Sequence, residues 1–349
     1  MTAHPTARAR IDGLDLARYL ALVGMVIVNF SIVMGADNDT GWAHAFAQSL
    51  SGRAAATFVV LAGIGLGLAR HRDDTMALTL RRAVFLGVIG CLNMLIFPAD
   101  ILHYYAVYFV IGALCLRWSA RRLLIGIAIA NAVFLVLLFT LDYDAGWNWT
   151  TLDYSGFWTP SGFVRNLFFN GWHPVFPWVG FLLLGLALSW LDLRSRRVQW
   201  QLAVIGGVGL VAVELCSGAL VEMIAAHDPE AALLAATDPI PPTPLYTLAG
   251  SLAAMAVTGV CLLCTEPARR FGLLALVAPA GRQTLTLYVA HIVLGMGTLE
   301  ALNLIGGQSA TRALMASLLF CALATLLAWL WSRVARRGPI EMLMRRLAG

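Results

Sequence analysis

The sequence of 349 residues contains no lysine, so all 24 of its basic residues are arginine. Charged residues of both signs make up only 12% of the chain, whereas 60% of the residues are hydrophobic. The first absence excludes any mechanism that depends on a lysine amine. The scarcity of charge excludes an ordinary soluble domain. The composition therefore predicts an integral membrane protein that is surrounded by the lipid bilayer.

The motifs of familiar soluble enzymes are missing as well. There is no G-x-S-x-G, no H-E-x-x-H, no Walker A loop and no carboxylate set for two metal ions, so we expect a function that requires no metal. None of the six cysteines lies in a predicted outer loop, so no disulfide framework is expected. The glycine-rich run 63–67 is fully apolar, which favours close helix packing over phosphate binding.

Long apolar runs dominate what is present. A helix needs about 20 apolar residues to cross a bilayer, and the runs predict ten such helices in a single domain over residues 1–349. The expected fold class is all-α, a polytopic integral membrane helix bundle. The predicted spans are 14–35, 54–70, 79–98, 101–117, 122–141, 174–191, 200–226, 245–265, 282–304 and 312–333.

Arginine clusters occupy every second gap between these spans. They precede the first span and follow the second, fourth, sixth, eighth and tenth. Because cytoplasmic loops retain Lys and Arg, both termini are predicted to be cytoplasmic, in a multi-pass protein of the inner or plasma membrane. The same asymmetry accounts for the net charge of +5 without any nucleic-acid partner. The longer outer segments are then 36–53, 142–173 and 227–244, with a short helix near 160–169.

Histidines concentrate at the predicted outer edge. Four of the seven lie there, namely His44, His103, His173 and His227. His103 follows Asp100 in the tight turn DILHYY, and His173 follows Asn170 in NGWHPVFPW at the start of the sixth span. Histidines held against helix ends can have their tautomer and pKa set by their neighbours. One hypothesis is therefore that a histidine at this face acts as a general base. The alternative is that these histidines are simply solvated and have no function.

A few polar residues are expected inside the membrane. Asn29 lies on the outer half of the first span, and Glu214, Glu222 and His291 are also deep. Such residues are costly in hydrocarbon, so each must face other helices or a cavity. Interhelical hydrogen bonding is the structural alternative to a functional role for each of them.

Four segments recur in a familiar order: LDLARYLALVGMVIVNF (14–30), SGRAAATFVVLAGIGLGLARHR (51–72), NGWHPVFPWVGFLLLGLAL (170–188) and GRQTLTLYVAH (281–291). With them the chain resembles, over most of its length, the heparan-α-glucosaminide N-acetyltransferase group of the transmembrane acyltransferase superfamily. The resemblance implies transfer of an acyl group from cytosolic acyl-CoA to a sugar amine or hydroxyl on the other side of the membrane.

Individual residues are carried over where they match. Asn29 lies where the family has its first-helix asparagine, and His44 falls closest to the family's catalytic histidine. Tyr19 replaces the glycine that usually follows the arginine, and the interval from Asn29 to His44 is longer than in the lysosomal enzyme. His103 and His173 are therefore alternatives for the catalytic role.

The resemblance also implies roles for the reacting groups. Asn29 would donate a hydrogen bond to the thioester carbonyl as charge develops on it. A histidine would accept the proton of the acceptor, oriented by Asp37, Asp39 or Asp100. We expect a pocket that is reached from both faces, with its constriction near Asn29.

Acetyl-CoA or another acyl-CoA is the expected donor, and an extracytoplasmic glycan or lipid-linked sugar is the expected acceptor. Arginines at the cytoplasmic helix ends would hold the donor's phosphates as charge-assisted pairs. The candidates are Arg18, Arg70, Arg81, Arg82, Arg117 and Arg282. The candidates for acceptor binding are Asn170, Trp172, Tyr104, Glu222 and His291.

A transporter is the competing hypothesis, because ten helices with cytoplasmic termini also suit a small-molecule exporter. Glu214, Glu222 and His291 would then form a proton path. Arg18 likewise has a plainer interpretation as an i,i+3 partner of Asp15. Most polar residues concentrate at one face and not at the midplane, so the sequence favours the acyltransferase. A homodimer is one assembly that is compatible with an acyltransferase of this kind.

Overall fold

The computed structural model describes residues 10–36, 39–71 and 74–349, so the candidate Asp37 lies outside the described residues. The described chain is mostly helical and its strands form a single two-stranded hairpin, which confirms the all-α membrane bundle. Its first half contains α1 (Asp12–Val33), α2 (Trp42–Leu50), α3 (Arg53–Ala69), α4 (Thr75–Asn93), α5 (Leu102–Cys115), α6 (Ala120–Thr140), α7 (Pro160–Arg165) and α8 (Val175–Leu188). Its second half contains α9 (Arg196–Ala225), α10 (Pro229–Leu233), α11 (Pro244–Arg270), α12 (Leu273–Arg282), α13 (Thr284–Ala290), α14 (Gly297–Ala301), α15 (Ala310–Trp331) and α16 (Pro339–Ala348).

Eight helices in the described part of the chain are long and apolar enough to cross a membrane. A ninth is obtained if Pro160–Asn170 and α8, which are bent by 50° at the break between them, count as one span. Each of the ten predicted spans coincides with a helix. The shortest are α5 and α8, whose 14 residues each reach only about 21 Å, less than the hydrocarbon thickness of about 30 Å. The count of ten and the cytoplasmic termini stay predictions.

The centre of the bundle is α1, which contacts α3, α11, α12 and α15. Small residues let neighbouring helices approach one another closely. A Cβ atom at Gly63 of α3 would overlap the carbonyl oxygen of Leu182 in α8, and one at Gly185 would overlap the carbonyl oxygen of Val60. The glycine-rich run 63–67 therefore serves helix packing, as predicted.

The segment 142–173 folds into a cap of short elements. Strands β1 (Trp147–Asn148) and β2 (Asp153–Tyr154) pair antiparallel. The helix α7 continues as a π-helical turn over Asn166–Asn170, which confirms the short helix predicted near 160–169. The hairpin is not predictable from the sequence, because strands of two residues are too short to show an alternating pattern.

Candidate functional site

Three cavities follow one another through the bundle. The first, the arginine cavity, has a volume of about 420 Å³ and runs from Arg18 to Tyr288. The second, the middle cavity, has a volume of about 90 Å³ and is lined by Asn29 and His173 among others. The third, the aromatic cavity, has a volume of about 450 Å³ and lies among the rings of segment 142–173.

Neighbouring cavities share lining residues. The arginine and middle cavities are both lined by Ile101 and Tyr288. The middle and aromatic cavities are both lined by Trp172. The three cavities therefore form a series, and the side chains that neighbouring cavities share form the walls between them.

Three arginines at the charged end of the arginine cavity, Arg10, Arg18 and Arg282, surround the carboxylate of Asp15. The Asp15 side chain is 1% exposed and accepts hydrogen bonds from Arg10 at 2.6 and 2.8 Å and from Arg18 at 2.7 Å. The Nε atom of Arg282 lies 3.5 Å from the same carboxylate. The side-chain hydrogen bond to Asp15 raises the pKa of Arg10 above its ordinary value. Since three guanidinium groups face one carboxylate, the cluster keeps a net positive charge that suits an anion.

The start of α1 brings these groups together. Asp15 lies in the first turn, where a carboxylate complements the positive end of the helix dipole. Arg18 follows three residues later on the same face, which confirms the i,i+3 pair. A Cβ atom at Gly65 of α3 would lie 3.4 Å from Nη2 of Arg18, so the glycine leaves room for the guanidinium beside the cavity.

The other candidate arginines divide into two groups. Arg82 lines the arginine cavity. Arg70 lines an adjacent cleft of about 560 Å³, which shares Arg18 with that cavity. Arg81 and Arg117 are exposed and line neither space. Their proposed role in binding the donor stays a prediction without a cavity to support it.

Tyr288 and Asp100 build the wall between the arginine and middle cavities. The Tyr288 hydroxyl donates to Oδ1 of Asp100 at 3.1 Å and accepts from the backbone N–H of Ile101 at 3.2 Å. Asp100 also accepts from Nδ2 of Asn93 at 3.1 Å and from the backbone N–H of Leu102 at 2.7 Å. The sequence predicts Asp100 at the outer edge, but it is completely buried. Protein donors around it replace the water that an edge position would provide.

Asn29 is paired with His291 across the bundle. Nδ2 of Asn29 lies 3.0 Å from Nε2 of His291, and Nδ1 of His291 faces the carbonyl oxygen of Tyr288. With the amide nitrogen facing the ring, Nε2 must accept and the imidazole proton lies on Nδ1. Asn29 lines the middle cavity, which is the smallest of the three, and Tyr288 is shared by this cavity and the arginine cavity. The constriction near Asn29 stays a prediction.

Two candidate histidines lie close to this junction. His103 is buried with its Nδ1 atom 3.9 Å from Oδ2 of Asp100, and neither of its ring nitrogens has a hydrogen-bond partner among the described residues. His173 lines the middle cavity, and its buried Nδ1 atom likewise has no partner in the described part of the chain. Tyr104 lies between them, with ring centroids 3.8 Å from His103 and 5.8 Å from His173. Of the two histidines, only His173 lines one of the three cavities described above.

His44 lies away from the three cavities. It is half-buried on α2 and is absent from the linings of the three cavities. Asp39, in the preceding segment, accepts a hydrogen bond from the backbone N–H of Ala310 at 2.6 Å, and this bond lowers the pKa of Asp39. The catalytic role of His44 stays a prediction.

The acceptor candidates of segment 142–173 differ in their environments. Trp172 lines both the middle and aromatic cavities, and its buried Nε1 atom has no hydrogen-bond partner within the described ranges. The amide of Asn170 donates to the carbonyl oxygens of Tyr143 at 2.8 Å and Ala145 at 2.9 Å, and accepts from the Tyr154 hydroxyl at 2.9 Å. Asn170 therefore holds the cap together, whereas Trp172 faces the cavities.

The acidic residues of α9 lie away from this site. Glu222 is predicted to be deep in the membrane, but it is exposed and close to the end of α9. Glu214 accepts from Arg53 at 2.5 Å and from Thr237 at 2.9 Å, which is the interhelical bonding named as its structural alternative. In the described part of the chain no group of three or more His, Cys, Asp or Glu residues could hold a metal ion. A function without metal stays a prediction.

Sequence reasoning misses two residues of the site. Arg10 enters the sequence analysis only as a marker of topology, although it stands five residues before Asp15. Tyr288 lies one helical turn before His291 within GRQTLTLYVAH. That spacing places both side chains on one face of a helix, so it is a signal that could have identified Tyr288.

Fold and cavities together define a polytopic membrane protein with a charged cavity at one end of the bundle and an aromatic cavity at the other. A family model described as "Heparan-alpha-glucosaminide N-acetyltransferase, catalytic" matches residues 10–213, and the chain belongs to this family. A second family model, described as "Protein of unknown function (DUF418)", matches residues 188–349. A comparison with curated proteins finds no match.

The site is divided between the two matched regions. Asn29, Asp100 and His173 lie in the first, and Tyr288 and His291 lie in the second. Family membership confirms the resemblance seen in the sequence and supports acetyl transfer in a membrane as the general activity.

Proposed function

We propose that this protein transfers an acetyl group from acetyl-CoA, through the bundle, to a sugar amine or hydroxyl on the other side of the cell membrane. The observation that carries the proposal is the series of three cavities, which leads from clustered arginines to a set of aromatic rings. Family membership supports acetyl transfer as the chemistry.

The arginine cavity suits the donor. The guanidinium groups of Arg10, Arg18 and Arg282 provide charge-assisted hydrogen bonds for phosphates. Farther in, the lining becomes apolar and includes Phe58, which suits the uncharged pantetheine arm. Between Arg18 and Asn29 the helix α1 rises about 16 Å, a distance that an extended arm can cover.

The middle cavity is where we propose that transfer takes place. The acceptor nitrogen or oxygen attacks the thioester carbonyl carbon, the C–S bond breaks, and the proton of the acceptor reaches the departing thiolate through a histidine. Asn29 has a second amide proton beside the one facing His291, and it can donate this proton to the carbonyl oxygen. His173 lines the same cavity and is our choice for the proton acceptor. The volume of about 90 Å³ favours a small acyl group.

The aromatic cavity suits a sugar acceptor. Its lining includes Trp147, Tyr154 and Trp158 together with the carboxylate of Asp153. Aromatic faces offer a large apolar area for the C–H groups of a pyranose ring, and a few polar groups fix its orientation. An extracytoplasmic glycan and a lipid-linked sugar both present such a ring, and a homodimer is compatible with either.

Calorimetric titration of the detergent-solubilised protein with CoA tests the donor site. Replacing Arg18 by glutamine should weaken binding by about 10-fold to 100-fold, since one hydrogen bond between charged groups is lost. Arg121→Gln makes the same change of charge at an exposed position outside the cavity and should leave the affinity nearly unchanged. Absence of CoA binding by the unaltered protein, or equal losses in both variants, would contradict the donor site.

The transporter hypothesis receives less support from the same observations. Of the three residues named for a proton path, Glu214 is paired with Arg53 and Glu222 is exposed near a helix end. His291 is paired with Asn29. A proton path through the midplane would need these groups to face one another along a common cavity.

A further inference from the structure

Tyr288 occupies the one position where the arginine and middle cavities of the described structure share an aromatic wall. Its side chain is 1% exposed, and its ring lines both spaces together with Ile101. A ring that lines both spaces stands between one cavity and the other. Passage between the two cavities therefore requires this ring to move.

The hydroxyl of Tyr288 makes one hydrogen bond as donor and one as acceptor. It donates to the buried Asp100 carboxylate and accepts from the Ile101 backbone N–H. Asp100 is itself fixed by Asn93 and by the Leu102 backbone N–H. The ring is therefore anchored to the turn between α4 and α5, while its Cα atom belongs to α13.

The helix that carries Tyr288 is irregular just beyond it. A π-helical turn runs over His291–Met296 and starts three residues after Tyr288. π-Helical turns are rare and occur frequently at functional sites. An irregular turn beside the anchored ring provides a place where a small backbone adjustment can change the position of the ring.

We propose that Tyr288 is a gate, latched by Asp100, that separates the arginine cavity from the middle cavity until the thioester end of the donor pushes between them. Opening breaks the hydrogen bond from Tyr288 to Asp100 and joins the two spaces. The identity of the group that passes rests on the proposed function, but the existence of the gate does not. When the gate is closed, solvent that enters the bundle from one side of the membrane does not reach the other side.

Two alanines of α3 provide matched reporters. Ala62 lines the arginine cavity and Ala55 lines the middle cavity. They are seven residues apart and therefore face the same side of the helix. Each is replaced in turn by cysteine, and sealed vesicles that expose the arginine-cluster face are treated with a charged methanethiosulfonate reagent. The chain with its native cysteines gives the background.

With Tyr288 intact, Ala62→Cys should react rapidly and Ala55→Cys slowly. Adding Tyr288→Phe should speed the reaction of Ala55→Cys by about 10-fold to 100-fold, the factor implied by the loss of one hydrogen bond to a charged group. Tyr288→Ala should bring the rate close to that of Ala62→Cys, because the ring itself is gone. The reaction of Ala62→Cys should not change in any of these backgrounds.

Tyr105→Phe is the control for loss of a buried phenol. Tyr105 lines the arginine cavity, and its hydroxyl has no hydrogen-bond partner among the described residues. Its removal should leave the labelling of Ala55→Cys unchanged, whereas Tyr288→Phe should accelerate it.

Three results would overturn the gate. They are equal rates at Ala55→Cys and Ala62→Cys with Tyr288 intact, no acceleration by Tyr288→Phe, and no reaction at Ala62→Cys from the arginine-cluster face. No acyl donor is added in these experiments. A chain that does not transfer acetyl groups can therefore still show the gate, and a failed gate leaves the CoA titration to be judged separately.

Discussion

Some polar side chains of the site have hydrogen-bond partners within the protein, whereas others have none among the described residues. The hydroxyl of Tyr288 and the amide of Asn170 are both engaged by neighbouring groups. Within the described chain, Nδ1 of His173 and Nε1 of Trp172 have no partner although both are buried. Buried polar atoms without partners are rare. Around the middle cavity they indicate where a bound ligand would supply the missing hydrogen bond.

Replacement of His173 tests the proton acceptor at this scale. Removing a general base typically slows transfer by about 10²–10⁴-fold. We expect His173→Ala to do so while the affinity for CoA, measured by titration, stays close to that of the unaltered protein. His44→Ala should retain most of the transfer rate, because His44 is absent from the linings of the three cavities.

His227→Ala serves as the control, since His227 is exposed just beyond α9. The reverse pattern, with His44→Ala inactive and His173→Ala fully active, would restore the assignment that follows from the order of motifs. It would also show that the α2 segment reaches the cavities during turnover.

Contacts between helices depend on small residues as much as on apolar ones. Gly63 and Gly185 allow the backbones of α3 and α8 to touch, and α3 carries residues of both the arginine and middle cavities. Gly207 of α9 has no atom within 4 Å of where a Cβ atom would be. Gly63 of α3 and Gly207 of α9 therefore allow the effect of an added methyl group to be compared at a packed and an open position.

Gly63→Ala should lower the free energy of unfolding by about 1–3 kcal/mol, because the added methyl group overlaps the backbone of α8. Gly207→Ala should raise it by up to about 1 kcal/mol, the gain in helix propensity of alanine over glycine. Thermal unfolding of both variants in the same detergent measures the difference. A loss of stability in Gly207→Ala equal to that in Gly63→Ala would contradict the packing explanation.

The helices were predictable and their partners were not. An apolar run of 20 residues predicts a helix because a membrane segment must satisfy its own backbone hydrogen bonds. The bond from Tyr288 to Asp100 joins residues 188 positions apart, and nothing in the local sequence of either residue predicts it. Asn29 was recognisable as polar in an apolar span, but its partner His291 is 262 positions away. The sequence places the amphipathic helix α2 only within the predicted outer segment 36–53.

At the scale of the whole molecule, the orientation of the protein in the membrane determines which compartment each cavity opens to. The arginine cavity is predicted to face the cytoplasm because arginine clusters lie on that side. Exposed residues at opposite ends of the bundle test this. Asp153 belongs to the cap and Arg196 begins α9, and both are exposed.

A cysteine introduced by Asp153→Cys should react with an impermeant thiol reagent added to intact cells, whereas Arg196→Cys should react after the membrane is opened. The chain with its native cysteines, of which Cys216 and Cys264 are exposed, gives the background. Labelling of Arg196→Cys and protection of Asp153→Cys in intact cells would reverse the proposed direction of transfer.

The division of the site between two matched regions restricts how this chain can change over generations. Asn29 with His291, and Asp100 with Tyr288, each pair a residue of region 10–213 with one of region 188–349. A substitution at one member leaves a buried polar group without its partner, and only a compensating substitution in the other half relieves that cost. Replacing one half by that of a distant relative would therefore require both pairs to be matched in the new combination.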